Sequence, residues 1–167
     1  REVLAEAGFS PDIVTLVANN PDERMASTLA LRPEVKLIDF TGSTANGDWL
    51  ERNAHQALVF TEKAGVNQVV IDSTDGFKGM VRNLALSLAL YSGQMCTAPQ
   101  NLYIPRDGIE TPEGHVTFDG VITALAEAIG KLTADPAKAV EILGAIQNEG
   151  VAQRIDASRN LGKIVLD

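Results

Sequence analysis

Residues 36–44 read Lys36-Leu37-Ile38-Asp39-Phe40-Thr41-Gly42-Ser43-Thr44. A short run containing Leu, Ile and Phe meets a glycine flanked by hydroxyl residues, which predicts a strand over 36–40 closed by a tight turn at 41–44. The residues that follow predict a helix over 45–54, and Ala57-Leu58-Val59-Phe60 a further strand. Strand, helix of about ten residues and strand again is the pattern of a βαβ unit with parallel strands. The fold class is therefore α/β, with a parallel sheet.

Working outward, residues 1–8 predict a short helix ended by Gly8, and Ser10-Pro11 a turn. Ile13-Val14-Thr15-Leu16-Val17 is a β-branched run that reads as a strand buried on both faces. A helix is expected over 21–31, with Pro21 in its first turn and Pro33 beyond its end. After Glu62 the pattern restarts: a strand at 68–71, a long helix over 75–92 with Met80, Leu84, Leu88 and Tyr91 on one face, and a strand at 102–104. Residues 106–117 are polar and contain Gly and Pro, as in a surface loop. Three helices are expected over 118–132, 136–146 and 151–160, and Ile164-Val165-Leu166 begins another strand. Opening on a helix and stopping inside a strand, without an initiator Met, the chain reads as an excerpt or proteolytic piece.

A net charge of −8 and a pI near 4.7 argue against nucleic acid as partner, because phosphate backbones require a basic face. An anionic cofactor stays possible, since backbone N–H groups at a helix start hold phosphate without net positive charge. No apolar stretch approaches the length of a membrane span, and the first residues do not read as a basic n-region followed by an apolar core. A single cysteine excludes a disulfide framework and a cysteine-rich metal site. These features fit a cytoplasmic α/β protein.

Three places could carry chemistry. Cys96, in Gly93-Gln94-Met95-Cys96-Thr97-Ala98-Pro99, follows a helix ending in glycine and precedes a Pro turn. Lone cysteines are commonly core residues, but this junction lets a thiol face a cleft. Glu62, in Thr61-Glu62-Lys63-Ala64-Gly65, stands at the end of a strand, at the edge where open α/β sheets bind ligands. Taken alone it better suits a solvated carboxylate paired with Lys63. The Phe40 to Thr44 turn, with a hydroxyl at the helix start, is a plausible phosphate seat. His55 and His115 fall where surface roles are expected, and Trp49, Tyr91 and Phe118 read as packing residues.

Phe-Thr-Gly-Ser, then Glu-x-x-Gly-x-Asn, then Gly-Gln-x-Cys-Thr-Ala-Pro, in this order, resembles the aldehyde dehydrogenase superfamily. Glu62 and Cys96 are 34 positions apart, the separation the superfamily uses between general base and nucleophile. Ala7-Gly8-Phe9-Ser10-Pro11-Asp12-Ile13-Val14 is similar to its helix end and Pro turn, and residues 118–167 to its helical region after the cysteine. The wording is nearest the branch associated with phenylacetate degradation, which acts on CoA-linked ring-cleavage semialdehydes.

The resemblance implies the C-terminal part of a cofactor-binding domain over 1–61 and the N-terminal part of a catalytic domain over 62–167. Cys96 would be the nucleophile toward the aldehyde, with its own N–H in the oxyanion hole, and Glu62 the base that activates water. Ser43, with the turn at Gly42, would contact the pyrophosphate of NAD or NADP. Thr41 would lie near the nicotinamide, and Gly65 would let the chain pass close to it. Partners implied are an aldehyde, a CoA-linked one included, and further copies of the full-length chain as a homo-oligomer.

One departure stands out. Where the superfamily usually has Glu-Leu-Gly-Gly-Lys, this chain has Glu62-Lys63-Ala64-Gly65-Val66, which would put a methyl and a charge beside the nicotinamide. The superfamily's second oxyanion donor, an asparagine, its adenosine-ribose lysine and its nicotinamide-ribose glutamate lie outside these residues. The 167 residues alone are thus expected to show no turnover. Two other readings compete: a cysteine hydrolase or acyltransferase using Cys96 with a histidine, and a truncated domain without catalysis.

Overall fold

The computed structural model describes every residue except Pro21, Arg24, Asn148 and Asp167. The chain divides into two compact units, Arg1–Ala64 and Gly65–Asp167.

The first unit is organised around two parallel strands, β1 (Leu37–Gly42) and β2 (Leu58–Lys63), joined through a helix numbered α3 (Thr44–Asn53) in chain order. Two shorter helices precede them, α1 (Glu2–Glu6) and α2 (Met25–Ala30). The strands pair from Leu37 opposite Leu58 to Gly42 opposite Lys63. β1 therefore continues through Thr41 and Gly42, residues the sequence places in a turn, because β2 offers them partners. Side chains alternate across a strand, so Ile38, Phe40, Val59, Thr61 and Lys63 share the half-buried face. α3 packs on the strands, and its positions 47, 50 and 54, spaced for one helical face, are buried as Gly47, Leu50 and Ala54. Leu37, Leu58 and Phe60 point the other way and are exposed.

The expected strand at residues 13–17 does not form. Ser10 accepts from the Asp12 N–H and caps a 3₁₀ turn over Pro11–Ile13; beyond it the chain is irregular, with Leu16 94% exposed. A β-branched run becomes a strand only against a sheet edge, and none of the described residues pairs with it. α2 lies within the expected helix, but the start expected at Pro21 lies outside the described residues.

The second unit pairs β3 (Asn67–Val70) in parallel with β4 (Pro99–Tyr103). Between them runs α4 (Phe77–Ala89), which packs on α5 (Phe118–Leu132). The expected helix over 75–92 stops early. Leu90 turns extended, and Tyr91, Ser92 and Gly93 take left-handed conformations at φ of 50°, 55° and 68°. The loop expected over 106–117 contains an antiparallel hairpin, β5 (Ile109–Thr111) with β6 (Gly114–Val116). Gly108, at φ +102°, makes it possible: a Cβ there would fall 2.1 Å from the Val116 carbonyl oxygen. Ile109 turns inward to form the core with Ile71 and Val121. Thr117 caps α5, and Asp135 with Pro136 starts α6 (Pro136–Leu143), followed by α7 (Glu149–Ser158). Residues 164–166 are exposed and form no strand, having no neighbour to pair with among the described residues. No helix among the described residues is long and apolar enough to cross a membrane.

Candidate active site

In the first unit the parallel register sets Thr41 directly beside Glu62. Both side chains lie on the exposed face, at the edge where both strands end. The Glu62 carboxylate has no hydrogen-bond or ion-pair partner among the described residues. Its neighbour Lys63 does not pair with it. Lys63 lies on the other face, and its ammonium donates to Asp48 Oδ1 and Glu51 Oε2, both at 2.7 Å. Those bonds hold the Asp48 and Glu51 carboxyls below the usual carboxylate range and the Lys63 ammonium above its ordinary value. Thr61 adds a bond to Glu51 Oε1 at 2.6 Å. The charge expected beside the nicotinamide is thus committed to α3.

Ser43 is the N-cap of α3, its Oγ accepting from the Asn46 N–H at 3.3 Å. The amides of Thr44 and Ala45 meet no acceptor among the described residues, which leaves two donors and the positive end of a ten-residue helix beside the strand ends. Next to them a groove of about 650 Å³ opens in the same unit, lined by Asn20, Ser27 and Ala30 on one side and by Phe40, Asn46 and Trp49 on the other. Amide donors beside a groove walled by Phe40 and Trp49, with Asn20, Ser27, Asp39 and Asn46 as its polar lining, could hold a dinucleotide with its phosphates at the helix start. Gly42 has a reason of its own: a Cβ there would fall 2.6 Å from the Phe40 ring.

In the second unit Cys96 is exposed and its thiol is free. It occupies a turn in which Ala98 N–H donates to the Met95 carbonyl at 3.0 Å. Asn67 reaches across from the start of β3, and its Nδ2 donates to the Cys96 carbonyl at 2.6 Å and to the Ala98 carbonyl at 3.0 Å. Gln94 ties the turn on its other side. Its Nε2 donates to the Tyr91 and Ala145 carbonyls, and its Oε1 accepts from Gln147 N–H. Ser92 Oγ donates to the Leu143 carbonyl at 2.9 Å, so the left-handed residues before the cysteine are anchored to the end of α6. Asn67 and Gln94 are letters of the sequence motifs, but apart from the Tyr91 carbonyl their partners are 29 to 53 residues away, so no local pattern could reveal those bonds.

Gly65 has open space at its Cβ position, with Asn67 Oδ1 nearest at 4.0 Å, so nothing in its own unit requires a glycine. His115 is bound on both ring nitrogens, to Glu110 Oε1 at 2.8 Å and to the Asp107 carbonyl at 2.6 Å. That leaves it no nitrogen for the thiol of a cysteine–histidine pair. No cluster of three or more His, Cys, Asp or Glu suited to a metal occurs among the described residues.

Residues 1–163 match the model of the aldehyde dehydrogenase family. A crystal structure of an NAD-dependent aldehyde dehydrogenase from Burkholderia multivorans is 65% identical, with a TM-score of 0.88 over 99% of this chain and 30% of that one. The 2-aminomuconic 6-semialdehyde dehydrogenase of a Pseudomonas species is 29% identical over 80% of this chain and 26% of its own length. The 2-aminomuconic semialdehyde dehydrogenase of Danio rerio is 30% identical over 63% of this chain and 22% of its own. The chain therefore spans about a quarter of the curated relatives it matches. With the α/β fold, the parallel strand pairs and the match across nearly its full length, the chain belongs to the aldehyde dehydrogenase family.

Proposed function

We propose that this chain supplies the nucleophile, the base and part of the cofactor seat of an NAD(P)-dependent aldehyde dehydrogenase. Residues 1–61 serve as the C-terminal part of its cofactor-binding domain and 62–167 as the N-terminal part of its catalytic domain. The observation that carries this reading is the exposed, free thiol of Cys96 on a turn tied down from both sides, in a chain that matches the family over residues 1–163.

The Cys96 thiolate adds to the aldehyde carbon, and the carbonyl π pair moves to oxygen, where the Cys96 N–H meets it. When the alkoxide collapses, the carbon loses a hydride and a thioester remains on Cys96. NAD or NADP, when bound, would supply the hydride acceptor. Glu62 then takes a proton from water as that water adds to the thioester; the C–S bond breaks, and the acid and the thiolate are released. An untethered Glu62 at the strand edge supports this role. Ser43 and the first amides of α3 would hold the pyrophosphate, with the groove at Trp49 for the rest of the dinucleotide, and Thr41 and Gly65 are the residues this reading assigns to the nicotinamide.

The substrate in this reading is a semialdehyde, in keeping with the semialdehyde dehydrogenases among the relatives, and a CoA-linked ring-cleavage product is the form we favour. The complete enzyme works in the cytoplasm as a homo-oligomer. These residues alone turn over no aldehyde.

Trp49, the single tryptophan, lines the groove, so NAD or NADP should quench its fluorescence saturably. The same cofactor should change the rate at which iodoacetamide labels Cys96. Unchanged fluorescence and labelling at millimolar NAD and NADP would refute the cofactor seat. Saturable NAD(P)H formation by the 167-residue chain would overturn the claim that it is inactive alone.

A further inference from the structure

β4 begins with a residue that cannot donate. Pro99 has no N–H, and the register between β3 and β4 shifts directly after Asn67, so that Asn67 pairs with Pro99 while Gln68 pairs with Asn101. Gln100 is the extra residue. The ladder is thus weakest where it borders the turn carrying Cys96. At this point the Asn67 side chain replaces the backbone: one carboxamide nitrogen binds the carbonyls at 96 and 98, on either side of Thr97. Ala98 is buried, 3% exposed, whereas Cys96 is exposed. The carboxamide therefore fixes the direction of the Cys96–Thr97 peptide at the step between core and solvent. With that carbonyl drawn toward β3, the Cys96 side chain is left on the open side of the turn.

We propose that Asn67 is a positioning residue for Cys96, its carboxamide standing in for the missing start of the β3–β4 ladder and holding the thiol outward. This rests on the reading of Cys96 as nucleophile for its catalytic meaning, but not for its geometry. Without the carboxamide the turn is free to rotate, and a thiol, which behaves as a small apolar group, gains by turning inward.

The test uses the 167-residue chain, in which Cys96 is the single cysteine. Asn67→Ala removes both bonds and should slow iodoacetamide labelling of Cys96 at the thiolate plateau at least about five-fold, the ratio that one neutral hydrogen bond already supports. The pH midpoint of labelling should stay put, because no charge is removed. Asn67→Asp sets a carboxylate against two carbonyl oxygens; it should slow labelling and also move the midpoint upward, since a negative charge beside the thiol disfavours the thiolate. A merely structural loss would change neither midpoint. A third readout needs no variant: the Asn67 side-chain amide protons should exchange with solvent more slowly than those of Gln100, whose side chain makes no bond to the turn.

Wild-type labelling rates and midpoints in both variants, or Asn67 amide protons exchanging as fast as those of Gln100, would overturn the proposal. If labelling ignores NAD and NADP while Asn67→Ala still slows it, the cofactor reading fails and the positioning role stands. If cofactor alters labelling and Asn67→Ala does nothing, the reverse holds.

Discussion

Replacing Ile109 should weaken the second unit by an amount its surroundings define. Ile109 is 1% exposed and packs with Ile71 and Val121, with Val69, Phe77, Met80, Leu84, Ile104 and Val116 around them. Ile71 extends β3, its N–H donating to the Tyr103 carbonyl at 2.9 Å, so this cluster underlies the strand pair that begins at Asn67 and Pro99. Ile109→Ala deletes three buried carbons, worth about 2.4 kcal/mol at ~0.8 kcal/mol each. The cavity adds roughly 1 kcal/mol, because the hairpin, fixed at Gly108, has little room to collapse, for a total of about 3–4 kcal/mol. Ile109→Val deletes one carbon and should cost about 1 kcal/mol. Both tyrosines, Tyr91 and Tyr103, belong to this unit, so tyrosine near-ultraviolet circular dichroism in urea follows it. With a slope of about 1.5 kcal/mol per molar, the alanine variant should lower the midpoint by about 2 M and the valine variant by less than 1 M. An alanine shift under about 0.5 M would refute Ile109 as the centre of the core.

Two further outcomes follow from the charged pairs. Asp48 and Glu51 carry depressed pKa values, so the stability they contribute is present above the unfolded carboxylate values and is lost as pH falls through the folded ones. Lys63→Met should therefore flatten the loss of thermal stability below about pH 4, read from Trp49 fluorescence on α3. An unchanged acid limb would contradict the ion pairs. His115 is raised by its bonds to Glu110 and to the Asp107 carbonyl, so its contribution is complete below its unfolded value and is lost as pH rises through the folded one. In Glu110→Gln the His115 titration, followed by ring-proton NMR, should move down toward the ordinary histidine value of about 6.5; no movement would remove Glu110 as the cause.

Much of the architecture was legible because period and punctuation agreed with it. α5 falls on the expected 118–132, with Thr117 as its cap, and β1, α3 and β2 follow the order implied by residues 36–60. The failures have a common source. Residues 13–17 and 164–166 have the composition of strands, but strand formation is decided by a partner edge rather than by the run itself. The hairpin at 109–116 was concealed by its polar residues and announced only by Gly108 and Gly114, whose positive φ values mark turns that the composition of a loop also permits. At the candidate site, Cys96, Glu62 and Ser43 were each weak alone and became candidates through the family resemblance that their motifs carry in order. What holds Cys96 was not readable, because the bonds from Asn67 and Gln94 join segments that only the fold brings together.

Lys63 shows how a departure from a family pattern can be neutral where it first looks disruptive. Adjacent residues on a strand face opposite ways, so a lysine next to Glu62 is directed away from Glu62 and onto α3. There its stem needs room. A Cβ at position 47 would lie 2.9 Å from both Cγ and Cε of Lys63, so a glycine at this point of α3 gives the stem its passage. Beyond it, Asp48 and Glu51 lie one and four positions further along α3, within reach of the ammonium. Gly47, Asp48, Glu51 and Lys63 therefore form one set. It joins the end of β2 to the helix whose start is the candidate phosphate seat. A leucine at position 63 could fill the space over Gly47 but could not neutralise the two acids. The set thus gives the strand edge a polar fastening while keeping the Lys63 charge off the face of Thr41 and Glu62.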